Sequence, residues 1–265
     1  MFKRIQDAIN RRLNPKIRQE EEFKNRLKWI SFQIVQEDEK FIVVGNKDYQ
    51  KIWLRKGSSD LHVFEQAFLQ EDFLPLELSV KDNKIDAKTI IDAGANCGLT
   101  TILFLHAFPN ATVIAVEPDP DNFEVLVKNT APYKERAQCL QKAIWKTNEN
   151  IQLTSDWGDG QAWAKAVKPI QDNEAETVSG ITIDDLLDSY NIKTCELIKM
   201  DIEGTEELLF SDEKPPSFLD RVECLAVEIH GHLNCRERII SQLNQKRFFI
   251  VQSGTATIAL KSTLQ

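Results

Sequence analysis

Four short segments, TIIDAG at 89–94, TVIAVEP at 112–118, LIKMDIEG at 197–204 and CLAVEIHG at 224–231, are apolar nearly throughout, and each runs into an acidic residue. Continuous apolar runs of this length suit strands covered on both faces, the condition of a parallel sheet in an α/β protein. Helical spacing fills the intervals between the early strands. Residues 98–108 are largely apolar, and 119–130 open with Asp119 as N-cap and Pro120 at the first helical position, placing Phe123, Leu126, Val127 and Thr130 on one face. Strand, helix, strand in repetition predicts an α/β fold built on a doubly wound, mostly parallel sheet with right-handed crossovers. The C-terminal RFFIVQSGTATIALK reads as two strands about Ser253 and Gly254, and so short a connection forces an antiparallel hairpin.

Ahead of this core, residues 1–88 read as an N-terminal α/β extension and 89–265 as the main domain. MFKRIQDAINRRLNPKIRQ spaces Phe2, Ile5, Ile9 and Leu13 helically among basic residues. This suits either a terminal helix docked on its own domain or a weak peripheral membrane contact through residues 1–18. FIVVGNKDYQKIWLR predicts two strands about a Gly45-Asn46 turn, and DLHVFEQAFLQEDF a helix carrying Leu61, Phe64 and Phe68. Arg55, Ser58, Ser59 and Asp60 precede that helix, with Ser59 or Asp60 expected as its N-cap or the cluster as part of a lid. The polar stretch 156–180 is long enough for a mobile loop, in which Trp157 and Trp163 anchor the chain or stack on a ligand.

In a doubly wound sheet, ligands bind beyond the carboxyl ends of the strands. Asp92, Glu117, Asp201, Glu203, Glu228 and His230 all fall at or just past such ends. Gly94 and Gly98 permit positive backbone angles and close approach of a ligand to the loop after the first strand. Glu117, at the end of the second strand, is placed to accept hydrogen bonds from the hydroxyls of a ribose. The loop reads D-A-G-A-N-C-G, without the glycine triplet of dinucleotide enzymes, and its carboxylate would repel a pyrophosphate by about 1 kcal/mol or more at surface dielectric. Asp92 suits a cationic amino group instead. S-adenosylmethionine, with a ribose, an ammonium and a sulfonium but no phosphate, accounts for Asp92 and Glu117 together. The expected donor-binding residues are Asp92, Gly94, Ala95, Asn96, Gly98, Glu117, Pro118 and Asp201.

TIIDAGANCGLTTILF, VIAVEPDPDNFEVLVKN, ITIDDLL, LIKMDIEGTEELLF and CLAVEIHG resemble the successive motifs of the FkbM family of S-adenosylmethionine-dependent methyltransferases. LRKGSSDLHVFEQAF resembles the segment that often precedes the core in bacterial members. The likeness covers roughly residues 52–230, and KMDIEGTE followed by VEIH is its most particular part. It implies a seven-stranded sheet with an antiparallel last strand and methyl transfer to oxygen, commonly a hydroxyl of a sugar, glycan or polyketide-like product. Cys97 departs from the aliphatic residue usual there, and its small volume should leave the loop intact. Within such a reaction His230 is the first candidate for general base, since imidazole changes charge near neutrality. Asp201 and Glu203 are the alternatives; Asp201 also suits the donor ammonium, and Glu203 the orientation of His230 or the acceptor.

The remaining composition narrows the class. At 265 residues and 42% apolar content the chain can bury a full core, and a net charge of -8 argues against a general nucleic-acid binder. No apolar run approaches the roughly 18 to 20 residues of a spanning helix, nor does the N-terminus resemble a secretion signal, so a cytoplasmic chain is expected. Five cysteines without paired spacing predict reduced, mostly buried thiols rather than disulfides or zinc. A cation held by Asp201, Glu228 and His230 is chemically conceivable, but the spacing shows no dedicated metal site. Two other readings stay open: a nicotinamide-dinucleotide oxidoreductase, and a non-catalytic protein that keeps the nucleoside pocket.

Overall fold

A computed structural model describes residues 15–154, 166–170, 176–230 and 235–262. The chain divides into two compact units, Met1–Glu71 and Asp72–Gln265. The first comprises α1 (Pro15–Arg26), the antiparallel strands β1 (Gln33–Glu37), β2 (Phe41–Gly45) and β3 (Ile52–Arg55), and α2 (Asp60–Phe68). Strand β2 is buried along its whole length between its two partners. Phe64 of α2 meets the rings of Phe23, Phe32 and Phe68 at centroid distances of 5.5, 5.1 and 4.7 Å. The expected cap of α2 is replaced by a stronger tie. Neither Ser59 nor Asp60 caps with its side chain; instead fully buried Asp60 takes two guanidinium bonds from Arg55, at 2.9 and 2.7 Å, and one from the Arg55 amide at 2.8 Å. Residues 1–14, which hold most of the basic amphipathic segment, lie outside the described residues.

The second unit begins with α3 (Leu74–Asp82), β4 (Thr89–Ala93), α4 (Leu99–Ala107), β5 (Thr112–Val116), α5 (Pro120–Thr130) and β6 (Ala137–Leu140). It continues through β7 (Ala143–Ile144), β8 (Asn150–Thr154), β9 (Ala166–Lys168), β10 (Thr177–Ile181), α6 (Ile183–Ser189), β11 (Cys195–Met200) and α7 (Thr205–Leu209). It closes with β12 (Val222–Glu228), α8 (Arg236–Gln245), β13 (Phe248–Ser253) and β14 (Ala256–Lys261). Helix α3 belongs here rather than to the extension because Leu76 and Val80 bury against Ile90, Phe104 and Val113, which moves the division from the expected residue 88 to 71.

Seven strands form one sheet in the order β13-β14-β12-β11-β4-β5-β6. Its central pairs are parallel, and β14 runs antiparallel to both neighbours, as the short hairpin requires. Alternate residues feed two cores: Ile91, Ile198 and Leu225 on one face, Ile90, Leu197 and Cys224 on the other. From β4 the chain winds outward through β5 and β6, then returns to build β11 and β12 on the opposite side. The break between β4 and β11 is therefore the topological switch point, where such sheets open a crevice.

Two expectations need correction. Helix α5 turns Asn122, Val125, Leu126, Asn129 and Thr130 inward, while Val127 is 44% exposed. Its buried polar residues are held by the neighbouring loops: the Asn129 amide donates to the Cys97 carbonyl at 2.8 Å, and Asn122 lies beside Glu117. The 156–180 stretch is also not wholly a loop, since β9 and β10 join β7 and β8 in a second sheet, ordered β7-β10-β8-β9, over Ala143, Trp145, Ile151 and Val178. Trp157 and Trp163 lie outside the described residues. All five cysteines are free thiols, four of them buried.

Candidate functional site

Each parallel strand delivers its last side chain to the same edge of the sheet, so β4, β5, β11 and β12 gather their terminal polar residues there. The loop after β4 is drawn against β5: the amides of Gly94 and Ala95 both donate to the Val116 carbonyl at 3.0 Å, and that of Asn96 to Glu117 Oε2 at 2.8 Å. Asn96 itself takes a left-handed conformation, φ 50°, and its side chain accepts from the Cys97 amide at 2.7 Å. Ala95 is buried, while Asn96 and Pro118 are partly exposed.

The two loop glycines answer to protein neighbours. A Cβ on Gly94, φ 77°, would lie 1.8 Å from the Asp201 carbonyl oxygen at the end of β11. One on Gly98, φ 85°, would lie 2.7 Å from Leu126 Cδ1 and 3.3 Å from Leu126 Cα in α5. Close strand and helix packing therefore requires both glycines, a reason separate from the room for a ligand expected of them.

Asp92 differs from expectation. Its carboxylate is fully buried, accepts from Thr101 Oγ1 at 2.6 Å and faces Lys199 Nζ at 3.5 Å. Burial pushes it above the ordinary carboxylate range, against the pull of Lys199 and Thr101. With its cation supplied from within the chain, Asp92 supports the loop instead of meeting a ligand ammonium. Glu117 is buried and multiply bonded: besides the Asn96 amide it accepts from the Asp119 amide at 3.0 Å and lies 3.4 Å from Asn122 Nδ2. Burial outweighs these bonds and pushes it up to about 7.

The segment DIEGTE after β11 folds into a tight turn. Glu203 and Gly204 have φ 52° and 93°, and fully buried Glu206 reaches back to accept from the Ile202 and Gly204 amides at 2.9 and 2.8 Å. A carboxylate at the helix start satisfies amides that have no intrahelical partner. His230, two residues beyond the end of the parallel run in β12, is gripped between the two glutamates: Nε2 lies 3.5 Å from Glu203 Oε2 and Nδ1 3.4 Å from Glu206 Oε2. Hydrogen bonding to Glu203 and then Glu206 raises its pKa to about 11, so the ring carries a proton at neutral pH. An imidazolium cannot accept a proton, so in this protonation state Asp201 or Glu203 is the readier base, and His230 can serve only after giving up a proton. Asp201 keeps a side chain 33% exposed and sits 3.6 Å from Lys199 Nζ. Glu228 is half-buried beside these groups and raised by burial and by the charge of Asp201.

Asp201, Glu203 and His230 bring ligand-type atoms within 4.8 Å of one another. Without a cation, the same contacts make an ion-pair clasp of His230 between Glu203 and Glu206. His232 lies outside the described residues. Lys199 and Glu206 are the members that sequence reasoning missed. Both stand in KMDIEGTE, and a lysine inside an otherwise apolar strand signals an internal anion. ITIDDLL is structural: Thr182 caps α6 by accepting from the Asp185 amide at 3.0 Å.

Among curated proteins, "Methyltransferase 1" of Beauveria bassiana (strain ARSEF 2860) is 25% identical over 140 residues, 46% of this chain and 56% of its own length, so the alignment spans about half of that relative. Among solved structures, StiE O-MT residues 942–1257 is 12% identical with a TM-score of 0.41 over 72% of this chain and 54% of that one. Precorrin-6y C5,15-methyltransferase from Geobacter metallireducens GS-15 is 11% identical with a TM-score of 0.38 over 66% of this chain and 80% of that one. The family model described as the methyltransferase FkbM domain matches residues 92–245, from the carboxylate that ends β4 to the end of α8 and across most of the site just described. The chain belongs to the methyltransferase FkbM domain family.

Proposed function

We propose that this chain is an S-adenosylmethionine-dependent methyltransferase whose acceptor is a hydroxyl of a sugar, glycan or polyketide-like small molecule. Family membership supports methyl transfer, and the family resemblance supports oxygen as the acceptor atom. The observation that carries the donor assignment is the tie between Glu117 and the Asn96 amide, which sets a carboxylate at the end of β5 beside the glycine loop of β4. A carboxylate there suits a ribose diol.

The donor, when bound, supplies a methyl group already activated on a sulfonium. The chain's own part is then orientation and exclusion of water, worth several kcal/mol when the acceptor oxygen is held in line. Glu117 holds the ribose, the 94–98 backbone flanks the amino-acid end, and the exposed face of Asp201 takes the ammonium. Asp201 and Glu203 are the readier candidates for general base, with protonated His230, held between Glu203 and Glu206, fixing the first of them.

Calorimetry tests the donor assignment against the dinucleotide reading: S-adenosylhomocysteine should bind and NADH should not. The reverse pattern would exclude methyl transfer. Glu117→Ala should lower S-adenosylhomocysteine affinity by about 1 to 3 kcal/mol through loss of charge-assisted bonds. Incubating the enzyme with methyl-labelled donor and cell extract, then identifying the labelled product, tests the hydroxyl acceptor and also the non-catalytic alternative.

A further inference from the structure

Lys199 lies in β11 between apolar neighbours and is only 7% exposed. An ammonium withdrawn from water is stable only where its three N–H groups find acceptors. One hydrogen bond and two ion pairs converge on it: the Gly94 carbonyl accepts at 2.9 Å, and the carboxylate oxygens Asp92 Oδ1 and Asp201 Oδ2 lie at 3.5 and 3.6 Å. The first two belong to the end of β4 and the third to the end of β11, so a single cation bridges the topological switch point of the sheet.

The bridge is asymmetric. Asp92 is closed off, its second oxygen taken by Thr101 Oγ1 at 2.6 Å, whereas the Asp201 side chain stays 33% exposed. Charge therefore alternates along Asp92, Lys199 and Asp201 from the interior outward, and only the outer anion reaches solvent.

We infer that Lys199 is a positioning residue for the amino-acid end of the donor: it fixes the Gly94 carbonyl and the Asp201 carboxylate relative to each other, so that an α-ammonium meets a prebuilt pair of acceptors. This rests on the donor reading above. Asp92, neutralised from inside, acts through Lys199. The nucleoside end lies with Glu117 on the far side of β4 and is independent of the bridge.

The test compares two probes, S-adenosylhomocysteine and 5′-methylthioadenosine, which shares the nucleoside and lacks the amino-acid group. Calorimetry on the wild type, Lys199→Met and Asp201→Asn should show a loss of about tenfold or more for S-adenosylhomocysteine in each variant, with methylthioadenosine affinity held within about twofold. Parallel weakening of both probes would reduce Lys199 to a structural role and overturn the inference. So would unchanged S-adenosylhomocysteine binding in either folded variant. Asp201→Asn reports on the acceptor alone, so if Lys199→Met does not fold, Lys199→Gln takes its place with the same expected and overturning outcomes. A wild-type protein that binds neither probe would remove the donor reading itself, and this inference with it.

Discussion

Replacing Gly94 by alanine tests the packing of the switch point most directly. The Cβ would lie 1.8 Å from the Asp201 carbonyl oxygen and 2.9 Å from its carbon, against an ordinary carbon–oxygen contact of about 3.3 Å or more. Relief needs a shift of about 1.5 Å in backbone, since neither atom belongs to a side chain that can swing away. The adjoining Asp201 amide donates to the Ala93 carbonyl at 3.1 Å, so moving this end of β11 strains the β4 ladder as well. A left-handed alanine costs about 1 to 2 kcal/mol, backbone displacement in a packed core about 1 to 3, and the lost bond about 1, for a total of roughly 3 to 6 kcal/mol. Gly254→Ala is the control: its φ is also positive, 55°, but nothing lies within 4 Å of the added carbon, which leaves only the conformational part, about 1 kcal/mol. Gly98→Ala should fall between them, because Leu126 Cδ1 can rotate away but Leu126 Cα, at 3.3 Å, cannot. All three glycines lie in the second unit, so urea unfolding of that unit ranks them under one protocol. If Gly94→Ala came within about 1 kcal/mol of Gly254→Ala, close approach of β11 could not be the reason for this glycine.

Three further outcomes follow from the site. Burial pushes Glu117 up to about 7, and a ribose diol prefers it ionised, so S-adenosylhomocysteine affinity should rise with pH through about 7, while stability contributed by the raised pKa is full below the ordinary 4.5 and is lost as pH rises from there through about 7; calorimetry from pH 5.5 to 8.5 that shows the same slope in Glu117→Gln would refute this. His230 should stay protonated from pH 6 to 9, its ring signals by NMR showing no titration in that range, and a midpoint below 7.5 would return it to the role of base. Glu206→Gln should destabilise the protein by about 1 to 3 kcal/mol, because the NH2 that replaces one oxygen cannot accept from the Ile202 or Gly204 amide; an unchanged denaturation midpoint would show that the DIEGTE turn does not depend on it.

The parallel strands were legible because a strand covered on both faces must be apolar at nearly every position, and β4, β5, β11 and β12 are. Helix α5 was placed correctly, with Asp119 accepting from the Asn122 amide at 2.8 Å as its N-cap. Its buried face was misjudged because Asn122 and Asn129 are drawn inward by hydrogen bonds to loops distant in sequence, which periodicity cannot see. The second sheet escaped for a related reason: β7, β8 and β9 are two to five residues long, and only pairing, of β7 and β8 with β10 and of β9 with β8, makes them strands. Among site residues, position was readable and partners mostly were not, the pairing of Glu203 with His230 being the exception. The glycines, Asp92 and His230 were all found at strand ends, but their neighbours are Asp201, Leu126, Lys199 and Glu206, and only folding brings these together.

Those partners change which acids face outward. Asp92 is balanced by Lys199, and Glu206 by His230 and two amides, so neither adds much free negative potential. Asp201, Glu203 and Glu228 remain partly accessible along the ends of β11 and β12, and Glu117 closes the end of β5. Burial raises Glu228, and repulsion from Asp201 on the same edge adds to it. A bound ligand carrying positive charge relieves the repulsion, whereas a pyrophosphate would add to it. A cationic adenosyl donor, as proposed, would thus meet the carboxylates that stay partly exposed, Asp201, Glu203 and Glu228, and Asp92 would act on it only through the lysine it shares with Asp201.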